Sequence, residues 1–308
     1  MRTGVFGTGS MGRNHVRLLS ALPGSELVGV YDADLDAARR IAAEHGTRAF
    51  DSEEALAGEI EAAVVALPTV HHADAGCRLL GRGLHVLVEK PLAPTLAEAD
   101  RLVEAAEAAG RVLAVGHVEF FNPAVQAVMG IGVPPRYAEV ERLSVFSPRS
   151  LDVDVILDLM IHDLQILHAL DPSPVLEVRA TGIDVLSPKI DIANVRLALD
   201  SGCVANLTAS RVSAERVRKI RLFYPSHYYS LDYREQEIKG YRLEEGDGGH
   251  RRIAEDDLPF EKAEPLAREL EAFLAACRGE ETPLVDGRQG RRALETALAV
   301  VEAIGTKG

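Results

Sequence analysis

Short apolar runs alternate with amphipathic segments through the first part of the chain. The runs are continuous in hydrophobicity, as expected for strands buried on both faces of a sheet. They are Thr3–Phe6, Leu27–Tyr31, Ala63–Leu67, His85–Val88 and Val112–Val115. Helical spacing of apolar positions between them predicts helices at Asp34–His45, His72–Arg82 and Thr95–Ala109, the last with a Thr95-x-x-Glu98 capping box and a terminating Gly110. This alternation is typical of βαβ units and a parallel sheet.

The pattern changes after about Gly116. A strongly apolar helix is predicted at Val155–Leu170, and five runs of β character follow it. Those runs are Val175–Val185, Ile190–Leu199, Val204–Val212, Arg216–Tyr224 and His227–Tyr233. A tight turn predicted at Asp200-Ser-Gly202 joins two of them, and short connections of this kind indicate an antiparallel sheet. Two helices, Pro265–Cys277 and Gly287–Ile304, close the chain.

The length of 308 residues fits two domains better than one core. We therefore predict an α/β protein. Residues 1–118 form a doubly wound parallel sheet of the Rossmann type, and residues 119–308 form an α+β domain on an open, mainly antiparallel sheet. The second domain is expected to bind substrate and to mediate oligomerisation.

Composition narrows the classes of partner. The net charge of −13 argues against nucleic acid, which needs a basic face. No apolar run is long enough to cross a bilayer, and the opening MRTGVFGTGS enters a strand directly, which leaves no room for a signal peptide. The widely separated Cys77, Cys203 and Cys277 form no ligand pair and suit a reducing compartment. We expect a soluble cytoplasmic protein with no metal site and no membrane partner.

A glycine-rich motif follows the first strand and opens a helix. It reads Gly7-Thr-Gly9-Ser10-Met11-Gly12, and Asp32 ends the second strand about 20 residues further on. The glycines permit a tight turn and close approach to a pyrophosphate, while the acid accepts hydrogen bonds from ribose hydroxyls and repels a 2′-phosphate. The motif therefore predicts NAD as cofactor. The alternatives are an Asp32 that only caps the next helix, and a 2′-phosphate held by Arg13 or Arg39.

Two further segments carry candidate chemistry. Glu89-Lys90-Pro91 lies where a strand should end, the edge at which open α/β sheets bind ligands, and a lysine there could stabilise charge on a reacting hydroxyl. Asp158 and His162 lie one turn apart on the apolar helix, which is how a carboxylate orients a histidine base. A surface Lys–Glu pair and a satisfied core Asp–His pair are the respective alternatives.

The order of these motifs resembles the glucose-fructose oxidoreductase / inositol dehydrogenase (Gfo/Idh/MocA) family over almost the whole chain. The segments that carry the resemblance are Gly7–Gly12, Pro68–His72, Gly83–Pro91, Gly116–His117, Phe121–Pro123 and Asp158–His162. Two departures are Leu67, where many members have Thr, and Asp152–Val155, where many have glycines.

The resemblance implies an NAD-dependent oxidoreductase acting on a sugar hydroxyl. Lys90 and His162 would be catalytic, with Asp158 as partner of the histidine. Lys90 would also join the cofactor site, together with Leu67, Pro68, His72 and Glu89, with His72 near the nicotinamide. His117 and Asn122 would reach the substrate, although a structural role for either is an equal alternative.

Within the family, Phe146–His162 and Tyr229–Tyr233 are similar to enzymes that oxidise C3 of UDP-N-acetylglucosamine. Tyr229 would then contact the substrate and Arg149 would face its diphosphate, unless Arg149 is a solvated loop residue. A free cyclic polyol or simple sugar is the alternative substrate. A non-catalytic NAD-binding regulator is the alternative class, but it predicts loss of the catalytic set, which is present.

An open antiparallel sheet with helices on one side leaves its other face to be covered. Because the family commonly pairs such faces, we expect a homodimer or homotetramer.

Overall fold

The structure is a computed structural model that describes residues 1–146, 153–245, 250–282 and 284–305. The chain divides into two compact units. The first comprises Met1–Val118 and Glu264–Leu294, and the second comprises Glu119–Ala263 and Glu295–Gly308. Among the described residues, no helix combines the length and the hydropathy needed to span a membrane.

A six-stranded parallel sheet forms the centre of the first unit. Its strands are β1 (Arg2–Phe6), β2 (Glu26–Tyr31), β3 (Arg48–Phe50), β4 (Ala62–Val65), β5 (His85–Glu89) and β6 (Leu113–Gly116). The order β3-β2-β1-β4-β5-β6 is that of a Rossmann dinucleotide-binding sheet, which confirms the predicted architecture. Only β3 was not predicted, because three residues are too few to show a periodicity.

Six α-helices lie wholly within the described residues of this unit. They are α1 (Ser10–Leu19), α2 (Leu35–Glu44), α3 (Glu53–Ala57), α4 (His72–Gly81), α5 (Leu96–Ala109) and α8 (Pro265–Cys277). The predicted signals bound α5: the Thr95 hydroxyl accepts the Glu98 N–H at 3.3 Å and donates to the Glu98 carboxylate at 2.7 Å. Gly110 ends the helix in the left-handed conformation, with φ of 61°.

Helix α8 belongs to the first unit, although it lies within residues 119–308, the range predicted for the second domain. Its buried side chains Leu266, Leu270, Phe273 and Leu274 join a core cluster that contains residues of α1, β1 and β2. The apolar spacing of α8 predicts a buried face, but it does not say which sheet that face will cover. The chain therefore returns to the Rossmann unit after completing the second sheet.

The second unit holds an eight-stranded sheet in the order β14-β13-β12-β11-β7-β10-β9-β8. The strands are β7 (Tyr137–Leu143), β8 (Val175–Ile183), β9 (Ile192–Leu199), β10 (Val204–Ser210), β11 (Val217–Phe223), β12 (His227–Asp232), β13 (Glu237–Glu245) and β14 (Arg251–Glu255). Among the described strands of this sheet, only β7 and β10 pair in parallel, so the predicted mainly antiparallel sheet is confirmed. The predicted turn at Asp200–Gly202 joins β9 to β10, with Gly202 at a φ of 85°.

Besides the 3₁₀ segment Val118–Phe121, three helical segments accompany this sheet before the final helix. They are α6 (Pro123–Met129), a π-helical segment (Ile156–Met160) and α7 (Ile161–Leu170). The last two are continuous and correspond to the single apolar helix predicted from the sequence. The final helix, α9 (Gly287–Gly305), contributes residues to each unit.

Candidate active site

The glycine-rich turn between β1 and α1 has the geometry of a phosphate cradle. Gly7 has a φ of +95°, and a Cβ added there would lie 2.5 Å from the Ala66 carbonyl oxygen. A Cβ on Gly12 would lie 1.9 Å from the Gly7 carbonyl oxygen, so neither position admits another residue. Gly9, Ser10 and Met11 are exposed, and Gly9 supplies no side-chain cap to α1. The first N–H groups of α1 thus face an open side suited to a pyrophosphate.

Asp32 lies at the end of β2 beside this turn. Its Oδ2 accepts the Thr8 N–H at 2.6 Å and the Thr8 hydroxyl at 2.8 Å, and its Oδ1 accepts the Asp34 N–H at 2.9 Å. Burial acts to raise the pKa of Asp32, but these hydrogen bonds outweigh it and lower the pKa. The cap of α2 is instead Asp34, whose carboxylate accepts the Ala37 N–H at 3.0 Å. The ionised Asp32 therefore fits the ribose hydroxyls of NAD.

His72 connects two loops at the carboxyl edge of the sheet. Its Nδ1 lies 2.9 Å from the Pro91 carbonyl oxygen, and its Nε2 lies 2.8 Å from the Leu67 carbonyl oxygen. Burial lowers the pKa of His72, although both carbonyl contacts act in the opposite direction. Leu67 is half-buried and Pro68 is exposed, so the segment after β4 has an open side. His72 positions this segment relative to the one that follows Lys90.

Lys90 directly follows β5, at the edge where the glycine-rich turn also lies. Its N–H donates to the Glu89 carboxylate at 3.3 Å, and that carboxylate also lies 2.6 Å from the His15 Nε2. His117, after β6, is buried near Lys90. Burial and the charge of Lys90 lower the pKa of His117 to about 3. Lys90 thus lies next to Glu89 in the chain and close enough to His117 for its charge to act on that imidazole.

Asp158 and His162 lie in the second unit, on successive turns of the π-helical segment and α7. Both are half-buried, while their neighbours Ile156, Met160 and Ile161 are fully buried. The predicted pairing on one helix face is therefore compatible with the observed backbone. Short π-helical segments occur frequently at functional sites, and the sequence pattern could not distinguish this one from α-helix.

Helix α7 is fixed to its sheet by a buried ion-pair network. The Arg142 guanidinium of β7 donates two hydrogen bonds to Asp163, at 2.7 and 2.8 Å, and one to Glu119 at 3.1 Å. Burial opposes the charge of Arg142, but Asp163 and Glu119 hold its pKa above the usual value. Arg218 adds a second guanidinium to Glu119 at 3.0 Å. Asp163 adjoins His162, so this network restrains the backbone that carries the histidine.

Asn122, Tyr229 and Arg149 are the remaining candidate substrate-binding residues. The Asn122 side chain caps α6 through the Ala124 N–H and donates to the Tyr233 carbonyl oxygen at 2.8 Å. Tyr229 is buried, and its hydroxyl donates a hydrogen bond to Asp256. Burial, and then the contact with Asp256, raise the pKa of Tyr229 to about 12. Both residues therefore have structural contacts within the second unit. Arg149, and part of the segment that carried the narrower resemblance, lie outside the described residues.

Sequence reasoning missed His15 and Glu269, which are buried beside Glu89. A signal for Glu269 was present, because it stands among Leu266, Leu270 and Phe273 at helical spacing and hence on the buried face of α8. His15 likewise lies on the buried side of α1, beside Val16.

Comparisons with known proteins agree with this geometry. The model of the oxidoreductase family with an NAD-binding Rossmann fold, Gfo/Idh/MocA, matches residues 1–117. The UDP-N-acetylglucosamine 3-dehydrogenase from Acidithiobacillus ferrooxidans is 39% identical over 306 residues, covering 99% of this chain and 97% of that protein. A solved structure of that enzyme superposes with a TM-score of 0.91 at 40% identity, covering 99% and 97% of the two chains.

A more distant relative also spans the full length. The inositol 2-dehydrogenase from Rhizobium meliloti is 28% identical over 324 residues, covering 100% of this chain and 98% of that protein. End-to-end similarity to two dehydrogenases, together with the phosphate cradle and Asp32, makes NAD the cofactor and the chain an oxidoreductase. The chain belongs to the Gfo/Idh/MocA family of NAD-binding oxidoreductases.

Proposed function

We propose that the chain oxidises a secondary hydroxyl of a sugar nucleotide to a ketone, with C3 of UDP-N-acetylglucosamine as the reacting position. The observation that carries this proposal is the 39% identity to a UDP-N-acetylglucosamine 3-dehydrogenase over 99% of the chain. Lys90, Asp158 and His162 supply the acid–base groups that the reaction requires.

In the proposed reaction, His162 and Lys90 act on the same hydroxyl group of the sugar. NAD, when bound, accepts the hydride that leaves the sugar carbon. His162 takes the hydroxyl proton, because imidazole has an unperturbed pKa of about 6.5 and is therefore an effective base near neutrality. Lys90 donates a hydrogen bond to the same oxygen and stabilises the negative charge that develops before the carbonyl forms. The products are a 3-keto sugar nucleotide, NADH and one proton.

Asp158 is proposed to orient the imidazole of His162 and to stabilise its protonated form. His117 is proposed to contact the substrate as a neutral imidazole, because its pKa of about 3 keeps it uncharged near neutrality. Arg149 retains its proposed role at the diphosphate, since arginine matches phosphate oxygens in geometry and charge. Asn122 and Tyr229 already use their polar groups within the second unit, so we assign them to the support of the site.

A free cyclic polyol is the second candidate substrate, favoured by the full-length similarity to an inositol 2-dehydrogenase. The deciding experiment incubates the protein with NAD and a panel of UDP-sugars, free sugars and inositols while the NADH absorbance band is followed. Turnover of UDP-N-acetylglucosamine with at least about 100-fold higher kcat/KM than any polyol supports the proposal, since an added charged group is strongly discriminated. Preference for inositol favours the second candidate, and NAD binding without turnover of any compound indicates a regulator.

We further propose that the protein is a homodimer or homotetramer and acts in the cytoplasm. The open face of the eight-stranded sheet, which carries a partly exposed aromatic row, supports the assembly. The thiol state of Cys77, Cys203 and Cys277 is consistent with the location.

A further inference from the structure

Glu89, which precedes Lys90, interacts with two other buried titratable side chains of the first unit, His15 and Glu269. His15 belongs to α1, Glu89 ends β5 and Glu269 belongs to α8. His15 and Glu89 form a hydrogen bond of 2.6 Å, and the side chains are 0% and 8% exposed. A contact this short is typical of a charge-assisted hydrogen bond, here between an imidazole and a carboxylate.

Glu89 is confined to one position by its neighbours. Its second carboxylate oxygen accepts the Lys90 N–H at 3.3 Å. A Cβ on Gly116, the residue opposite Glu89 in β6, would lie 3.0 Å from both Cδ and Oε2 of Glu89. Gly116 thus leaves the space that the carboxylate occupies, and Glu89 joins α1 to the backbone of Lys90.

Glu269 has the environment of a neutral acid. The residue is 1% exposed, and across the part of the chain that the structure describes neither of its carboxyl oxygens has a hydrogen-bond partner. Burial, and then the charge of Glu89, raise the pKa of Glu269 well above its usual value. Within the described residues, Glu89 is the titratable group whose charge acts on Glu269, and His15 is in turn bonded to Glu89.

We propose that His15 and Glu269 are positioning residues for Lys90 that act through Glu89. His15 holds the Glu89 carboxylate against the Lys90 N–H, and Glu269, as a neutral acid, adds no second carboxylate charge beside Glu89. The consequence for catalysis rests on the proposed role of Lys90, whereas the protonation of Glu269 does not. Loss of the Glu269 proton would place two carboxylates in one apolar site and would push Glu89 from the Lys90 backbone.

The first test uses stability and needs no substrate. A carboxyl group with a raised pKa in the folded state stabilises fully below its unfolded pKa, and that stability is lost as pH rises toward the folded pKa. Glu269→Gln cannot ionise, so its Tm relative to the wild type should rise by about 3 °C or more between pH 5 and pH 8. Glu271→Gln, on the exposed side of the same helix, is the matched control and should show no such trend. Equal pH dependence in Glu269→Gln and the wild type overturns the proposal.

The second test measures the effect on Lys90. His15→Leu should lower kcat by up to about 100-fold, as expected for a displaced catalytic group, with little change in NAD affinity. His15→Gln, whose amide can donate to Glu89, should restore most of that loss. Glu269→Gln should also extend the pH profile of kcat on its alkaline side. Equal kcat losses in the two His15 variants overturn the positioning role.

A third measurement separates failure of this inference from failure of the proposed function. Acetylation of Lys90, with the exposed Lys262 as internal standard, is followed by peptide mass spectrometry in the presence and absence of NAD. His15→Leu should change the Lys90 rate relative to Lys262 even if the wild type oxidises no sugar. An unchanged ratio of the Lys90 and Lys262 acetylation rates in a folded His15→Leu protein contradicts the inference. If His15→Leu does not fold, the same ratio measured in Glu269→Gln decides between the outcomes.

Discussion

Three histidines near the proposed chemistry differ in their surroundings. His72 and His117 are buried, and burial lowers the pKa of both; the pKa of His117, about 3, leaves that imidazole uncharged near neutrality. His162 is half-buried and follows Asp158 by one helical turn. A base must release the proton it gains, which requires a pKa near the working pH. His162 remains the histidine that we propose as the general base, because it is less buried than the other two and Asp158 lies one turn away on the same helix.

Replacing His162 by Asn should lower kcat by about 10²–10⁴-fold, the usual effect of losing a positioned acid–base group. NAD affinity should stay within about twofold of the wild type, since the cradle and Asp32 lie in the first unit. Steady-state kinetics and NADH fluorescence titration measure the two effects. His250→Asn, at an exposed histidine, is the control. Near wild-type turnover in His162→Asn would make Lys90 the base.

The pH dependence of kcat separates His162 from His117. Because the pKa of His117 is lowered to about 3, its protonation state is constant between pH 5 and 9. His117→Asn should therefore keep the acidic limb of the pH–kcat profile at its wild-type position even if the rate falls. Asp158→Asn should move the same limb to lower pH, because it removes the carboxylate that is proposed to stabilise the protonated imidazole of His162. A shifted acidic limb in His117→Asn would show that the pKa of His117 is not depressed.

Cofactor selectivity should depend on Asp32. Hydrogen bonds from Thr8 and Asp34 keep this carboxylate ionised, so it repels the 2′-phosphate of NADP. The wild type should bind NAD more tightly than NADP. Asp32→Ala should reduce the ratio of the Kd for NADP to the Kd for NAD by at least about 10-fold, equivalent to about 1.4 kcal/mol. Isothermal titration of both cofactors provides the measurement. Tighter binding of NADP by the wild type would contradict the assignment.

Motifs with a local mechanism could be recognised from the sequence, whereas contacts between distant segments could not. Short sequence motifs were enough to identify the glycine turn, Asp32 and Lys90, because the proposed role of each depends on neighbouring residues in the chain. The bond between His15 and Glu89 spans 74 residues, and the Arg142–Asp163 pair spans 21. Tyr229 has the residue type of a ligand contact, but only the fold shows that Asp256 takes its hydroxyl.

At the scale of elements, hydrophobic periodicity predicted most strands of the second sheet and missed β7, β13 and β14. Strand β7 places Arg142 on its inward face, which breaks the alternation of apolar and polar residues. Strands β13 and β14 are largely exposed, so they have no apolar face to detect. Helix α8 was bounded correctly by its Pro265 start, yet its membership of the first unit depends on the partner of its apolar face.

The capping box of α5 gives a testable contribution to stability. Thr95→Ala removes the acceptor of the Glu98 N–H and should lower the free energy of unfolding by about 1 kcal/mol. Thr95→Ser keeps the hydroxyl and should lose only a fraction of that amount. Urea denaturation followed by circular dichroism compares the two variants. Equal denaturation midpoints for Thr95→Ala and Thr95→Ser would show that the cap does not support the helix.

At the scale of the whole molecule, the eight-stranded sheet carries an aromatic row on the face opposite Tyr229 and Leu231. Tyr137, Phe223, Tyr228 and Tyr241 are direct cross-strand partners on β7, β11, β12 and β13. The ring centroids of neighbours in the row are separated by 5.5 Å (Tyr137 and Phe223), 4.9 Å (Phe223 and Tyr228) and 6.3 Å (Tyr228 and Tyr241). Aromatic residues that stay partly exposed in one contiguous row are typical of protein interfaces, and a second copy of this chain is the proposed partner.

Light scattering at micromolar concentration should therefore give the mass of a dimer or tetramer. Tyr228→Asp places a charge at the centre of the row and should raise the dissociation constant by at least about 30-fold, equivalent to about 2 kcal/mol. Val133→Asp, at an exposed apolar residue outside the sheet, is the matched control and should leave the mass unchanged. NAD affinity should be unaffected in both variants, because the glycine turn and Asp32 lie in the first unit. A monomeric wild type would rule out the assembly, and an intact oligomer in Tyr228→Asp would place the interface on another surface.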